Sequence, residues 1–357
     1  MTAPQIQASE TSIHPLALRW QQLRKETPRL RQRDAAHQLG VTEAELVAAH
    51  VGTTATRLDT RWVEFLEGME PVGPVTGLTR NPDVVIEATG TIRNVDIGKM
   101  MGVVLDEGLD LRVFLASWHV GFALVEETAR GPRHSVQFFD TSGTAIFKMF
   151  LREESDVSAL QALVARHRAE NQSPVQELGT LAALPEEKPD AGIDVEGFLT
   201  AWDGLKDTHD FFGMLRKFGV TRTQALRLAE SRWTVPVAPD AYRPLLTLLS
   251  ETQLPFMTFV GNRGMIQIRT DVARRVKEVG AWFNILDPHF NLHIREAGLT
   301  QAWIVRKPTV DGIVTGVEFF NAQGDLQVTF FGKRKPGIPE DEAWRALVKT
   351  LEPLPRS

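Results

Sequence analysis

The chain has 357 residues, 43% apolar and 24% charged, with a formal net charge of −5 and no cysteine. That length accommodates two domains with ample core, and the lack of cysteine removes disulfide frameworks, thiolate metal sites, iron–sulfur ligation and thiol nucleophiles together. The acidic balance argues against wholesale nucleic-acid coating and leaves anionic small ligands open at a local basic patch.

The opening residues, MTAPQIQASETS, lack the basic-then-apolar layout of a secretory leader. No run of about 18 apolar residues follows, so a cytoplasmic protein without membrane insertion is expected. Helices come first. DAAHQLGVTEAELVAAHVG has the spacing of a helix-turn-helix, with Gly40 at the turn and Thr42 capping the second helix. That second helix offers two glutamates and no Arg, Lys, Asn or Gln to read base edges, so packing is its expected role and nucleic acid is not an expected partner. Strands are predicted at Val84 to Ile92, Leu109 to Phe114 and Phe122 to Glu127. SVQFFDTSGTAIFKMF then reads as a hairpin turning at Asp140 to Gly143, followed by a helix over ESDVSALQALVARHRAE.

Residues Glu170 to Asp194, rich in Pro and Glu, read as a linker. Beyond them the helical stretches KDTHDFFGMLRKFGV and VTRTQALRLAESR precede strands at Met265 to Arg269, Phe290 to Arg295 and Ala302 to Lys307. A second hairpin, GVEFFNAQGDLQVTFF, and a final helix, EDEAWRALVKTL, close the chain. Hairpins this close in sequence favour antiparallel pairing, and runs of helix, strand and helix indicate an α+β fold.

The second half restates the first. LDEGLDLR at Leu105 recurs as LDPHFNLH 181 residues later, VQFFDTSGTAIFKMF as VEFFNAQGDLQVTFF at the same offset, and LGVTEAELVAA as FGVTRTQALRLA at an offset of 179. Two tandem structural repeats are therefore expected, residues 14–169 and 195–353, joined by the 170–194 linker. Each would carry N-terminal helices, a large antiparallel sheet and a C-terminal helix.

Several chemistries are missing: there is no phosphate loop, dinucleotide fingerprint, nucleophile elbow or HExxH zinc helix. His289 and His293 have metal-like spacing, but Pro288 and the alternation in FNLHIRE place them on loop and strand, where they do not converge on one ion. Arg222, Gln224 and Arg227 of the second helix-turn-helix suit base edges better than their counterparts, and would equally meet a carboxylate.

In a duplicated chain, a chemical group present in one copy only is the better functional candidate. His209 is such a group, since its counterpart is Leu30. Asp207 or Thr208 is placed to cap its helix, which puts His209 in the first turn. Phe212 and Gly213 follow three and four residues on, and Gly213 opens a gap where a flat ligand could approach the helix. A first-turn histidine is more often a surface or hydrogen-bonded core residue than a ligand, and the residues alone leave both readings open.

A longer pattern adds to this. KDTHDFFGMLRKFGVTRTQALRLA, GNRGMIQIRT, WFNILDPHFNLHIRE, AWIVRKPTVDGIVTGVEFF and FFGKRKPG, with LTRNPDVVIEATG in the first copy, resemble the haem-trafficking or hemin-degrading proteins of bacterial haem uptake, from about residue 14 to 350. The resemblance implies two pseudo-repeats with large antiparallel sheets and non-covalent b-type haem held beside the second copy's helices. It makes His209 the axial iron ligand, Arg112 the distal group, and Arg222 and Lys307 the cations for the propionates. Thr329 and Phe331 stand where some members have Gln and Tyr. It further implies an inner-membrane haem importer and a downstream haem oxygenase as partners.

The physical needs of haem agree: an apolar disc, an iron taking a nitrogen or sulfur ligand, and two carboxylates. Three functions follow from the sequence: a carrier that accepts and delivers haem, an enzyme that opens the porphyrin itself, and a DNA-binding regulator. A carrier is expected, with degradation as the alternative. Arg112 suits a distal role in either, and no flavin or nicotinamide motif supplies electrons.

Overall fold

A computed structural model describes residues 13–28, 30–181, 187–335 and 337–355. The stretch 1–12, read above for a leader, residues 182–186 of the linker, and Pro336 of FFGKRKPG lie outside the described residues.

The repeat is visible element by element. The first half runs α1 (Pro15–Glu26), α2 (Gln32–Leu39), α3 (Glu43–Ala48), β1 (Ala55–Arg57), α4 (Trp62–Glu67), β2 (Pro74–Arg80), β3 (Val84–Thr91), β4 (Val95–Ile97), β5 (Gly102–Leu105), β6 (Asp110–Val113), β7 (Val120–Thr128), β8 (Gly131–Phe139), β9 (Ala145–Leu151) and α5 (Val157–Arg166). The second runs α6 (Val195–Asp203), α7 (Asp210–Phe218), α8 (Arg222–Leu228), β10 (Thr234–Val237), α9 (Tyr242–Thr252), β11 (Phe256–Gly261), β12 (Met265–Asp271), β13 (Val276–Val279), β14 (Trp282–Leu286), β15 (Phe290–Arg295), β16 (Gln301–Thr309), β17 (Gly312–Phe320), β18 (Leu326–Gly332) and α10 (Glu342–Val348). The expected α+β class with large antiparallel sheets is what the chain adopts.

Local chemistry explains why the halves fold alike. Gly40 and Gly219 both take left-handed backbone, with φ of 68° and 65°, and end α2 and α7. Thr42 and Thr221 then cap α3 and α8 by accepting the N–H groups of Glu45 and Gln224. Both predicted hairpins are present. Asp140 accepts from the N–H groups of Ser142 and Thr144 in one turn, and Asn321 from those of Gln323 and Asp325 in the other.

The chain forms two compact units. The first comprises residues 1–77, 91–102 and 114–181, and the second residues 78–90, 103–113 and 182–357. Strands β3 and β6 of the first sequence repeat therefore lie in the second unit. Their pairing is reciprocal: β6 joins β12, the second-copy equivalent of β3, with Arg112 opposite Ile266, and β3 joins β15, the second-copy equivalent of β6, with Val85 opposite His293.

In the first unit the strand order β1-β7-β8-β9-β2 buries Phe138 and Phe147 on one face and carries a second core, with Phe122 and Phe139, on the other. Helix α3 packs on it through Ala44, Val47 and Ala48, and the buried Glu43 carboxylate accepts from Lys148 Nζ at 2.9 Å. The would-be recognition helix is thus buried. Residues at the start of the linker are fastened to the same unit, where Gln172 donates to the Arg57 carbonyl and Gly179 N–H to Thr141.

In the second unit the order β10-β16-β17-β18-β11-β12-β6 forms one continuous sheet. One face, with Val317, Phe319, Val328 and Phe330, is sealed in a core with α9 and α10. The other face carries the residues singled out from sequence.

Candidate functional site

Registers show how that second face is laid out, because directly paired residues and every second residue along a strand share a side of the sheet. One row runs Trp303, Glu318, Thr329, Phe259, Ile268 and Asp110 across six strands. The next holds Val305, Gly316, Phe331 and Met257, and on the far side Ile266 stands beside Arg112. Lys307, Arg112, Thr329 and Phe331, far apart in sequence, therefore occupy one face.

Helices α6 to α8 cover this face over β16 and β17, where Phe198, Trp202, Phe211 and Leu215 pack with Val305 and Phe320. Further along, Phe331, Phe259, Met257 and Ile266 remain half-buried, with Phe259 and Phe331 edge-on at 5.2 Å. A half-open apolar shelf beside a helix is what a flat hydrophobic ligand requires.

Under the covered end lies a buried charge cluster. Arg222, the first residue of α8, grips Glu318 at two points, Nε to Oε2 at 2.7 Å and Nη2 to Oε1 at 2.6 Å. Lys307 Nζ reaches the same Oε1 at 3.1 Å and lies 4.2 Å from the centroid of the Phe211 ring. The Glu318 side chain has no exposure, that of Lys307 5%, and that of Arg222 28%. Burial alone would raise the Glu318 carboxyl, but Arg222 and then Lys307 hold it at about 2. Burial drives the Lys307 ammonium down to about 8, with Glu318 opposing the shift and Arg222 adding to it. For Arg222 burial also works against the charge, and Glu318 outweighs it. Two cations share one carboxylate, so the cluster carries a surplus positive charge.

His209 stands at the start of α7, as the N-cap residue itself and one position earlier than the first-turn placement expected from sequence. No side chain caps α7, against the expectation for Asp207 or Thr208; Asp207 instead closes a turn just ahead of the helix, its Oδ1 accepting from the His209 backbone N–H at 2.8 Å and lying 2.6 Å from Nδ1 of the imidazole. The His209 N–H is the main cause holding the Asp207 carboxyl below its usual range, against the effect of burial. The imidazole is 81% exposed, and Nε2 has no hydrogen bond among the described residues. Phe212 is 63% exposed, with the Arg216 guanidinium 5.2 Å from its ring centre. A Cβ placed on Gly213 would meet nothing within 4 Å, so the protein itself does not require glycine there.

Arg112 is partly buried and bonds the Asp110 carboxylate on its own strand. The structure thus joins Arg222 and Lys307 through Glu318, sets Arg112 on the same sheet face, and leaves His209, Phe212 and Gly213 at the exposed start of α7. Sequence reasoning missed Glu318 and the double role of Asp207. Comparison of the copies held the signal for the first, since Gln137 stands at the position of Glu318. Gln224 and Arg227, which suited base edges, are committed internally: Gln224 donates to the Lys188 carbonyl and Asp190, and Arg227 to Glu187 and Asp190. His293 bonds Asn284 on its own sheet, and no group of three or more His, Asp or Glu side chains among the described residues is arranged to hold a bare metal ion.

The family model for the haemin-degrading HemS.ChuX domain matches the chain twice, at residues 40–167 and 219–351. The chain belongs to this family. It is 37% identical over 333 residues to the hemin transport protein HmuS of Yersinia pestis, covering 92% of this chain and 95% of that one. Among solved structures, holo-PhuS, a heme-binding protein from Pseudomonas aeruginosa, is similar with a TM-score of 0.93 and 45% identity, covering 96% of this chain and all of that one. ChuS, described as a heme degrading enzyme of Escherichia coli O157:H7, is similar with a TM-score of 0.88 and 34% identity over 94% of this chain and 98% of that one. The paired match of the HemS.ChuX domain falls on the two halves that repeat element by element.

Proposed function

We propose that this chain binds haem through Nε2 of His209 and carries it in the bacterial cytoplasm, from an inner-membrane haem importer to a haem oxygenase. The carrying observation is the exposed imidazole of His209, whose Nδ1 is engaged and whose Nε2 is left outward. In a chain without cysteine and with one tyrosine, buried Tyr242, histidine is the natural iron ligand. The remaining needs of haem also find residues. Gly213 and Phe212 admit and flank a flat disc, the shelf of Phe331, Phe259 and Met257 offers apolar surface, and the surplus charge of Arg222 and Lys307 suits a propionate. No helix of the described residues is long and apolar enough to cross a membrane.

A single histidine on an exposed helix end suits release as well as capture. The test is an absorption titration with haem. The expected result is one haem per chain, with a Soret band that shifts or weakens in His209→Ala; the same spectrum and affinity in that variant would remove His209 from the site.

The second reading, that the chain itself opens the porphyrin, is favoured by Arg112 on the shared sheet face. There a guanidinium would stabilise negative charge developing opposite the histidine. Haem, ascorbate and air with catalase present separate the two. Haem that stays intact while an oxygenase withdraws it supports the carrier, and loss of haem absorption with iron release supports the enzyme.

A further inference from the structure

The Asp207 carboxylate does more than the turn before α7 requires. One oxygen, Oδ1, meets both the backbone N–H of His209 and its ring Nδ1, at 2.8 and 2.6 Å. The turn needs the first bond only, and an asparagine would supply it. The second acts on the imidazole. It holds the proton on Nδ1, fixes the rotation of the ring and leaves the Nε2 lone pair directed away from the protein. Because the backbone bond already anchors the carboxylate, the ring is oriented by a group that is itself held in place.

The repeat supplies an independent observation. The positions equivalent to Asp207 and His209 in the first copy are Pro28 and Leu30, so carboxylate and imidazole are present together or absent together. A carboxylate kept only to close the turn would have no reason to follow the histidine.

We propose that Asp207 is a positioning residue for the iron ligand: it orients the His209 ring, selects Nε2 as the ligating nitrogen and, as an anionic acceptor at Nδ1, strengthens the iron–imidazole bond and favours ferric over ferrous iron. This rests on His209 being the haem ligand. Outer carboxylates on ligating histidines raise ligand basicity in this manner, and their loss typically weakens metal binding by about 10- to 100-fold.

The experiment compares haem-loaded wild type, Asp207→Asn, Asp207→Glu and His209→Ala. Asparagine keeps an oxygen for the backbone N–H and removes the charge; glutamate keeps the charge on a longer arm. Three quantities are read: the rate of haem loss to excess scavenger apoprotein, the ferrous iron–imidazole stretching frequency by resonance Raman, and the ferric/ferrous midpoint potential. Asp207→Asn should release haem roughly 10-fold faster, lower the stretching frequency and raise the potential, with Asp207→Glu returning toward wild type. If Asp207→Asn matches wild type in all three while His209→Ala loses the iron–imidazole band, Asp207 only closes the turn before α7 and the proposal is overturned. If His209→Ala keeps that band, the ligand assignment fails and the role of Asp207 fails with it.

Discussion

Arg222 and Glu318 form a two-point buried ion pair at the helix position where the first repeat has Glu43 paired with Lys148, so the duplicated fold keeps a helix-to-sheet charge pair and reverses its direction. Thr42 and Thr221 precede the two helix residues as caps, which places Glu43 and Arg222 alike at the first position of α3 and α8. In the first pair Lys148 Nζ meets the Glu43 carboxylate. In the second, Lys307 joins Arg222 on the single Glu318 carboxylate.

Glu318→Gln should be strongly destabilising, because it leaves two buried cations without an anion. Breaking a buried pair in this way typically costs about 3–5 kcal/mol. Denaturant unfolding at neutral pH measures it, and a loss under 1 kcal/mol would mean that the cluster is effectively solvated. Glu43→Gln in the first repeat should also lower stability yet leave the haem titration unchanged.

The cluster also sets the pH dependence of stability. The folded-state value of Glu318 is about 2 against a reference of 4.5, so its contribution is complete above 4.5 and is lost as pH falls toward 2. Lys307 works in the opposite sense, since its folded value of about 8 lies below the reference of 10.5 and burial of its charge penalises folding below 8. That penalty is relieved as pH rises from 8 to 10.5. Lys307→Met should abolish this alkaline gain, as followed by urea midpoints across the range, and a gain that persists in the variant would assign it to another group.

Gly213 separates the needs of the fold from those of the ligand. With open space where a Cβ would stand, Gly213→Ala should stabilise the apoprotein by about 0.5–1 kcal/mol through helix propensity. Gly213→Leu should fold equally well and bind haem more weakly, because its side chain would project into the gap. Thermal unfolding and a haem titration of the two variants decide this, and full affinity in Gly213→Leu would place the disc elsewhere.

Arg112→Ala should leave the fold intact, since its ion-pair partner Asp110 is itself partly exposed and keeps access to water. Under the carrier reading it should alter the absorption spectrum of ferric haem while release to a partner oxygenase changes by less than 10-fold. Under the enzyme reading it should stop haem loss in ascorbate and air.

Much of this architecture is legible in the chain. The two hairpins announce themselves through Asp140 and Asn321, the helix ends through Gly40 and Gly219, and His209 through the contrast with Leu30. Helix α9 and the short strands are harder. Pro244 sits in the first turn of α9, where it is tolerated but reads as a break, and β4, of three residues, is too short to display an alternation. Glu318 is hidden for another reason. In GVEFF a glutamate reads as the solvent side of a half-buried strand, and only the folded sheet shows α8 closing over it. The shelf of Phe331, Phe259 and Met257 is equally invisible in one dimension, since its members meet through the register of two strands far apart in sequence.

The crosswise pairing of β6 with β12 and β3 with β15 bears on how such a molecule can be divided or inherited. Severing the chain within residues 182–194 would strip the C-terminal fragment of two strands and expose the unpaired edges of β12 and β15 to intermolecular pairing, so the fragment should aggregate unless the missing piece is supplied in trans. Once strands had been exchanged after duplication, neither copy could be deleted without undoing the other. The ancestral single unit survives here as a rhythm in the sequence and in the order of the elements.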